Sequence, residues 1–233
     1  MNYLFDTPDV RSLSVIGEDR QYPVHRIFCV GRNYEAHAKE MGNEVDREAP
    51  FYFTKQLHAV LPSGGTLPYP PGSADCHHEM ELVFAIGKPV FRCTKDEARS
   101  AIYAYGCGLD MTRRDLQAAS KEKRRPWDTS KDFEGSAVLA PLTKAEDVGT
   151  INNQRIHLSV NGEVRQDASV SEMIHNCEEI VADLSKYYHL APGDLIMTGT
   201  PAGVGAVQAG EVLEGSVEGL EPVRVTIAAA EAS

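Results

Sequence analysis

No stretch of the 233 residues approaches the run of about 18 apolar residues that a membrane-spanning helix needs. Cysteine is sparse and badly placed for cross-linking. Cys29, Cys76, Cys93, Cys107 and Cys177 are odd in number, scattered, and form no C-x-x-C pair. That spacing argues against a disulfide framework or a structural zinc site and favours a reducing compartment. The opening MNYLFDTPDV lacks a basic segment ahead of an apolar one, so it does not read as a signal peptide, and the cytoplasm is the expected location. Basic residues are in deficit: 23 Lys and Arg against 34 Asp and Glu give a net charge of −11, a poor basis for binding a phosphate backbone. Missing too are the G-K-[ST] of a nucleotide-binding loop and the G-x-S-x-G of an acyl-enzyme nucleophile. With 42% hydrophobic and 24% charged residues, the chain has the composition of a folded globular protein.

What is present reads as short extended segments punctuated by glycine and proline. Residues 1–25 are polar and weakly patterned, an N-terminal arm or first hairpin. From about residue 26 onward no linker interrupts the chain. IFCV at 27–30 is a strand that turns at Gly31, and 34–41 is helical. The charged, apolar-poor GNEVDREAP at 42–50 reads as a mobile loop, followed by the strand FYFT at 51–54. LPSGGTLPYPPG at 61–72 is dense enough in Pro and Gly to predict a direction-changing loop. EMELVFAIG at 79–87 is a strand, and Thr94-x-x-Glu97 is a capping box opening a helix over 95–104. A strand near 105–111 precedes Thr112-x-x-Asp115, which predicts a second cap and a helix to about Lys123. Asn161-Gly162 between RIHLSV and EVRQD signals a type I′ hairpin. Met173, Ile174, Cys177, Ile180, Val181 and Leu184 recur at helical spacing over 171–189, and 194–199 is again extended. Strands outnumber helices without alternating with them, so a β-rich α+β domain is expected.

The sharpest chemical signal is Glu79 with Glu81. Two apart on a strand, both carboxylates face the same way, and such a pair must be solvated, protonated or bridged by a cation. Asp110, ending YGCGLD, offers a third oxygen, and three carboxylates without Cys or paired His suit a hard cation. A solvated strand face beside an unrelated Asp is the alternative. His77-His78-Glu79 is not a zinc-protease signature, because H-E-x-x-H needs a helix and a second His where Leu82 stands. The two histidines are expected to pack around the site or support it. His37 and Glu40 lie three apart on a short helix, so the carboxylate can orient the imidazole as a general base, unless they are merely an exposed surface pair. Arg114 and Gln117 share a face of the next helix and suit carboxylate or keto oxygens. The alternative is a solvated basic face with Lys121, Lys123, Arg124 and Arg125. GTPAGVG at 199–205 suggests an oxyanion- or phosphate-binding loop, although without G-K-[ST] it places no nucleotide.

Several segments, in order, resemble the fumarylacetoacetate hydrolase family: FCVGRNYEAHAKEMG (28–42), HHEMEL (77–82), GLDMTRRDLQ (108–117), PWDTSKDF (126–133), VNGEVRQ (160–166) and GDLIMTGTPAGVG (193–205). The resemblance covers nearly the whole chain from about residue 25. It implies a mixed β-sandwich or β-roll, usually dimeric, holding one Mg²⁺ or Mn²⁺. Glu79, Glu81 and Asp110 match the metal-binding carboxylates, and His37 with Glu40 matches a water-activating pair on a lid that orders over substrate. Arg114, Gln117, Lys131 and Thr200 match positions that hold the substrate's oxygens, with Lys131 also placed to stabilise an enolate. Longer members carry a further Asp ligand where this chain reads Arg32-Asn33, so water or substrate is expected there. Lys55 matches a lysine near the site only loosely. The implied activity is hydrolysis of a C–C bond in a 2,4-dioxo acid, fumarylpyruvate or another acylpyruvate, giving pyruvate and a carboxylic acid. The alternative on the same scaffold is decarboxylation of oxaloacetate, or decarboxylation or isomerisation of another 2-oxo acid. A non-enzymatic scaffold would have little use for His37, Arg114 and Lys131 together.

Overall fold

Successive side chains on a strand point to opposite faces, and here both faces of one sheet are buried. In the strand Arg26–Gly31, Phe28 and Val30 enter one core while Ile27 and Cys29 enter another. Met80–Ile86 is buried at every position, with Leu82, Phe84 and Ile86 on the first side and Val83 and Ala85 on the second. Double burial accounts for the apolar run Leu82–Ile86 in this strand. The computed structural model describes residues 3–7, 9–42 and 47–232. Residues 43–46, inside the loop expected to be mobile, lie outside the described residues.

The central sheet runs in the order Phe51–Lys55, Arg26–Gly31, Asp194–Met197, Met80–Ile86, Ile102–Asp110, Ala137–Leu139, Val60–Pro62, and its pairing is mixed. A second sheet, built from Glu163–Ser169, Arg155–Val160, Val212–Val217, Val223–Ala228 and Thr66–Pro68, contributes Ile156, Leu158, Leu213 and Val225 to the larger core. Leu13, Val15, Tyr22 and Val24 pack in the smaller core, and Ser12–Leu13 pairs with Tyr22–Pro23. This is the β-rich, curled two-sheet architecture expected. A small third sheet of Thr112–Arg113, Cys76–His78 and Gly205–Ala206 supports the site. Among the described residues no helix is long and apolar enough to cross a membrane.

Local signals set several elements. The Thr94/Glu97 capping box is formed, although its helix stops at Ala101 because Ile102 is drawn into the central sheet. Asn161 and Gly162 both have positive φ, 50° and 81°, as a type I′ turn requires. Other expectations need correction. The proline-rich stretch at 61–72 contains two short strand segments, tolerated because each lies at a sheet edge. Over 171–189 only Cys177–Leu184 is α-helical, since Asn176 and Glu179 form their own capping box and start the helix there. Thr112 caps nothing. Its hydroxyl donates to the Asp110 carbonyl, and the Asp115 carboxylate is taken by Ser73 and Ala74. The helix Arg114–Glu122 follows with no side-chain cap bond at its start.

Candidate active site

Glu79 falls in a gap between Cys76–His78, which belongs to the small sheet, and Met80–Ile86, which belongs to the central one. The shared-face expectation assumes a continuous strand. What brings the carboxylates together is instead the chain's passage between sheets, fixed by the Asp110 N–H donating to the Glu79 carbonyl at 2.9 Å. Glu81 pairs with Gly108 in the sheet register, and Asp110 ends that partner strand. One oxygen from each of Glu79, Glu81 and Asp110 lies within 4.8 Å of the others, and all three residues are buried.

Three buried carboxylates in this space repel strongly. Burial, then the charges of Asp110 and Glu79, push the Glu81 carboxyl well above the usual range. Burial also works to raise Glu79, but Lys131, Arg114 and His37 outweigh it and hold that carboxyl below the usual range. Lys131 Nζ donates to Glu79 Oε2 at 2.7 Å, Asp110 Oδ2 at 2.5 Å and Thr112 Oγ1 at 2.8 Å. Arg114 Nη2 donates to Glu79 Oε1 at 2.5 Å. Lys55 Nζ lies 2.8 Å from Asp110 Oδ1 as an ion pair, but that oxygen accepts no aligned hydrogen bond. An all-oxygen donor set, with one carboxyl driven up by its neighbours and one oxygen left open, fits a hard divalent cation.

Eight of the nine expected site residues line one small cavity: His37, Glu79, Glu81, Asp110, Arg114, Gln117, Lys131 and Thr200. Glu40 stands behind it, its Oε2 3.3 Å from His37 Nδ1. If Nδ1 carries the proton donated to Glu40, Nε2 is left as the basic nitrogen. Burial lowers the His37 pKa from 6.5, opposed by the charges of Glu79 and Glu40. Arg114 Nη1 donates to Gln117 Oε1 at 2.7 Å, which leaves the Gln117 amide N–H groups for other acceptors.

A family model described as fumarylacetoacetate (FAA) hydrolase C-terminal matches residues 26–228. The chain belongs to the fumarylacetoacetate hydrolase family. Within that family it is similar to a fumarylpyruvate hydrolase of Ralstonia, 50% identical over 193 residues that span 82% of this chain and 100% of the relative. An oxaloacetate tautomerase of Escherichia coli is 40% identical, covering 85% of this chain and 90% of its own. Among solved structures, a Pseudomonas aeruginosa fumarylpyruvate hydrolase in complex with Mn²⁺ and pyruvate superposes with a TM-score of 0.95 at 44% identity, over 98% of this chain and 100% of that one.

Members of the site that sequence reasoning misses are mostly supports. Gln166, fully buried, donates to Thr200 Oγ1 at 2.8 Å and to the Pro201 carbonyl at 2.9 Å, while its Oε1 accepts from Met80 N–H at 2.9 Å. It thereby aims the Thr200 hydroxyl proton elsewhere. Only the alternation of a strand hints that Gln166 faces inward. Asn33 turns away from the carboxylates, bonding the His175 and Thr198 carbonyls at 2.9 and 2.8 Å. His78 is buried beside Gln166, and His77 pairs with Asp75, so neither joins the carboxylate cluster. Gly199 N–H donates to Glu81 Oε2 at 2.8 Å, giving the glycine loop a role in holding a site carboxylate.

Gly203 anchors Glu40, its N–H reaching both carboxylate oxygens at 3.2 Å. Its φ of +95° suits glycine, and an added Cβ would run into the Arg165 carbonyl oxygen. Gly203→Ala is therefore expected to destabilise the fold by at least about 1–3 kcal/mol and to lower activity by displacing the group that orients His37. A melting temperature equal to the parent's would refute this.

Proposed function

We propose that the chain is a metal-dependent hydrolase that cleaves the C3–C4 bond of a 2,4-dioxo acid, fumarylpyruvate or a related acylpyruvate, to pyruvate and a carboxylic acid. The observation that carries this reading is that His37, backed by Glu40, opens on the same cavity as the three carboxylates. Similarity to fumarylpyruvate hydrolases in sequence and structure supports it.

Mg²⁺ or Mn²⁺, held by Glu79, Glu81 and Asp110, would supply Lewis-acid stabilisation of the negative charge that develops on the departing pyruvate fragment. His37 takes a proton from water as the water oxygen adds to C4. Glu40 holds the resulting imidazolium by its Nδ1 side. The C3–C4 bond then breaks, its electron pair passing to an enolate that a proton converts to pyruvate. Arg114 and the free amide of Gln117 bind substrate oxygens, and Thr200 donates its hydroxyl proton to another. Lys131 places a fixed positive charge near the enolate, with no reorganisation at the moment of reaction. A homodimer in the cytoplasm belongs to the same proposal, resting on the family resemblance.

Oxaloacetate tautomerisation or decarboxylation is the second reading, favoured by the E. coli relative. The two separate in a substrate panel of fumarylpyruvate, acetylpyruvate and oxaloacetate, assayed with and without chelator. Chelation is expected to abolish hydrolysis, and either Mg²⁺ or Mn²⁺ to restore it. Undiminished hydrolysis in a sample shown by elemental analysis to be metal-free would overturn the reading.

A further inference from the structure

The small cavity opens into a larger cleft of about 580 Å³, the two sharing Arg32, Phe53, Lys121, Trp127 and Lys131. The cleft is walled by aromatic rings and edged by cations. Arg32 sits over Phe51 and Trp127 at 5.8 and 6.0 Å, and Lys121 over Trp127 at 5.1 Å. Arg124 and Arg125 complete the rim, and Asp128 is the one acid among the described residues of the lining. None of these four cations forms an ion pair among the described residues. In a chain of net charge −11, such a concentration runs against the background. Arg32 and Arg124 also hold left-handed backbone, φ 59° and 52°, a conformation that carries a cost for a side chain with a Cβ.

Helix geometry gives the cleft a direction. Arg114, Gln117 and Lys121 are spaced three and four apart on one helix, so they lie along one face. At 1.5 Å rise per residue, Arg114 and Lys121 are roughly 10 Å apart along the axis. Arg114 is at the carboxylate cluster and Lys121 where the cavity widens. A seven-carbon chain with a carboxylate at each end suits this span.

We propose that Lys121 and Arg32, with Arg124 and Arg125 at the rim, form a second carboxylate site that binds the far end of the acyl group, so that the preferred substrates are acylpyruvates whose acyl part is itself an acid. This rests on the acylpyruvate reading of the inner site. The aromatic walls then contact the flat unsaturated or extended carbons between the two ends. Burial, followed by the like charges of Arg114 and Arg32, pushes the Lys121 ammonium down to about 8, and a carboxylate beside it would relieve that repulsion.

The test compares fumarylpyruvate with acetylpyruvate, which shares the pyruvyl part but ends in a methyl group, in the Mg²⁺-loaded protein. In Lys121→Met the ratio of kcat/KM for fumarylpyruvate to that for acetylpyruvate is expected to fall about 10- to 100-fold, mainly through KM, the order of one charge-assisted hydrogen bond. A merely structural lysine would leave the ratio unchanged, and that result overturns the proposal. Should Lys121→Met fail to fold, Arg124→Gly carries the same test, since glycine suits the left-handed backbone there; its ratio is expected to fall several-fold, and an unchanged ratio counts against the site. If the parent hydrolyses acetylpyruvate as well as fumarylpyruvate, the second site is refuted while the hydrolase reading stands. If it hydrolyses neither, that reading fails, and the site is judged by calorimetry with fumarate against crotonate. Tighter binding of fumarate that Lys121→Met removes supports it, and equal affinities refute it.

Discussion

Glu81→Gln is expected to lose hydrolysis and any oxaloacetate activity together. Both proposed chemistries require charge stabilisation on a 2-oxo acid by the cation that Glu81 would help to hold. Losing a stabilisation worth several kcal/mol costs about 10³-fold or more in kcat/KM. The substitution is nearly isosteric, and its carbonyl oxygen can still accept the Gly199 N–H that Glu81 Oε2 accepts at 2.8 Å. The fold should therefore survive. Removing one of three crowded buried carboxylates also relieves the repulsion that drives Glu81 upward, so the metal-free variant should melt no lower than the metal-free parent. Added Mg²⁺ should raise the melting temperature of the parent through linkage and leave that of the variant unmoved. A variant that keeps both the metal-induced shift and full turnover would remove Glu81 from the proposed metal site.

His37→Ala should divide the two chemistries. Hydrolysis needs a base for the attacking water, and losing one costs about 10²–10⁴-fold. Decarboxylation of oxaloacetate needs no attacking water and should fall far less. The pH profile offers an independent check. As the proposed base His37 would act unprotonated, and burial lowers its pKa from 6.5. The unprotonated form therefore persists to lower pH than for an exposed imidazole, and the acid limb of kcat/KM for hydrolysis should lie below pH 6.5 in the parent. That limb should be missing from whatever activity His37→Ala retains. Hydrolysis within a few-fold of the parent would show that another group takes the proton, with Glu40 the nearest carboxylate to test next.

Both leading effects involve residues that stand out in the chain's own pattern, though the pattern explains their meeting only in part. Strand periodicity pairs Glu79 with Glu81. In the fold Glu79 lies off the strand, at the step between two sheets, and its carboxylate reaches the cluster through that step. Helical spacing pairs His37 with Glu40, and this holds within the short helix Glu35–Glu40. The cap expected of Thr112 fails because local pattern sees only a short polar residue before a helix, whereas Asp110 and Lys131 claim its hydroxyl. The basic run at Lys121, Arg124 and Arg125 fits a solvated face equally well. Nothing local distinguishes that from the edge of a cleft.

By itself the sequence determined the local events, because their partners lie within a few residues. Thr94 finds Glu97 one helical turn away, and Asn161-Gly162 takes positive φ without help from the rest of the chain. It also determined the chemical inventory: three carboxylates without a C-x-x-C pair, a histidine with a carboxylate, and no G-x-S-x-G elbow. Tertiary structure alone decided which of these groups meet. Gly199 reaches Glu81 across 118 residues, Gln166 reaches His78 across 88, and Lys131 reaches Glu79 across 52. Sheet register and the crossing between sheets set those encounters, and burial then moves the pKa values that the chemistry uses. Neither depends on nearest neighbours in the chain, so neither can be read from short-range patterns.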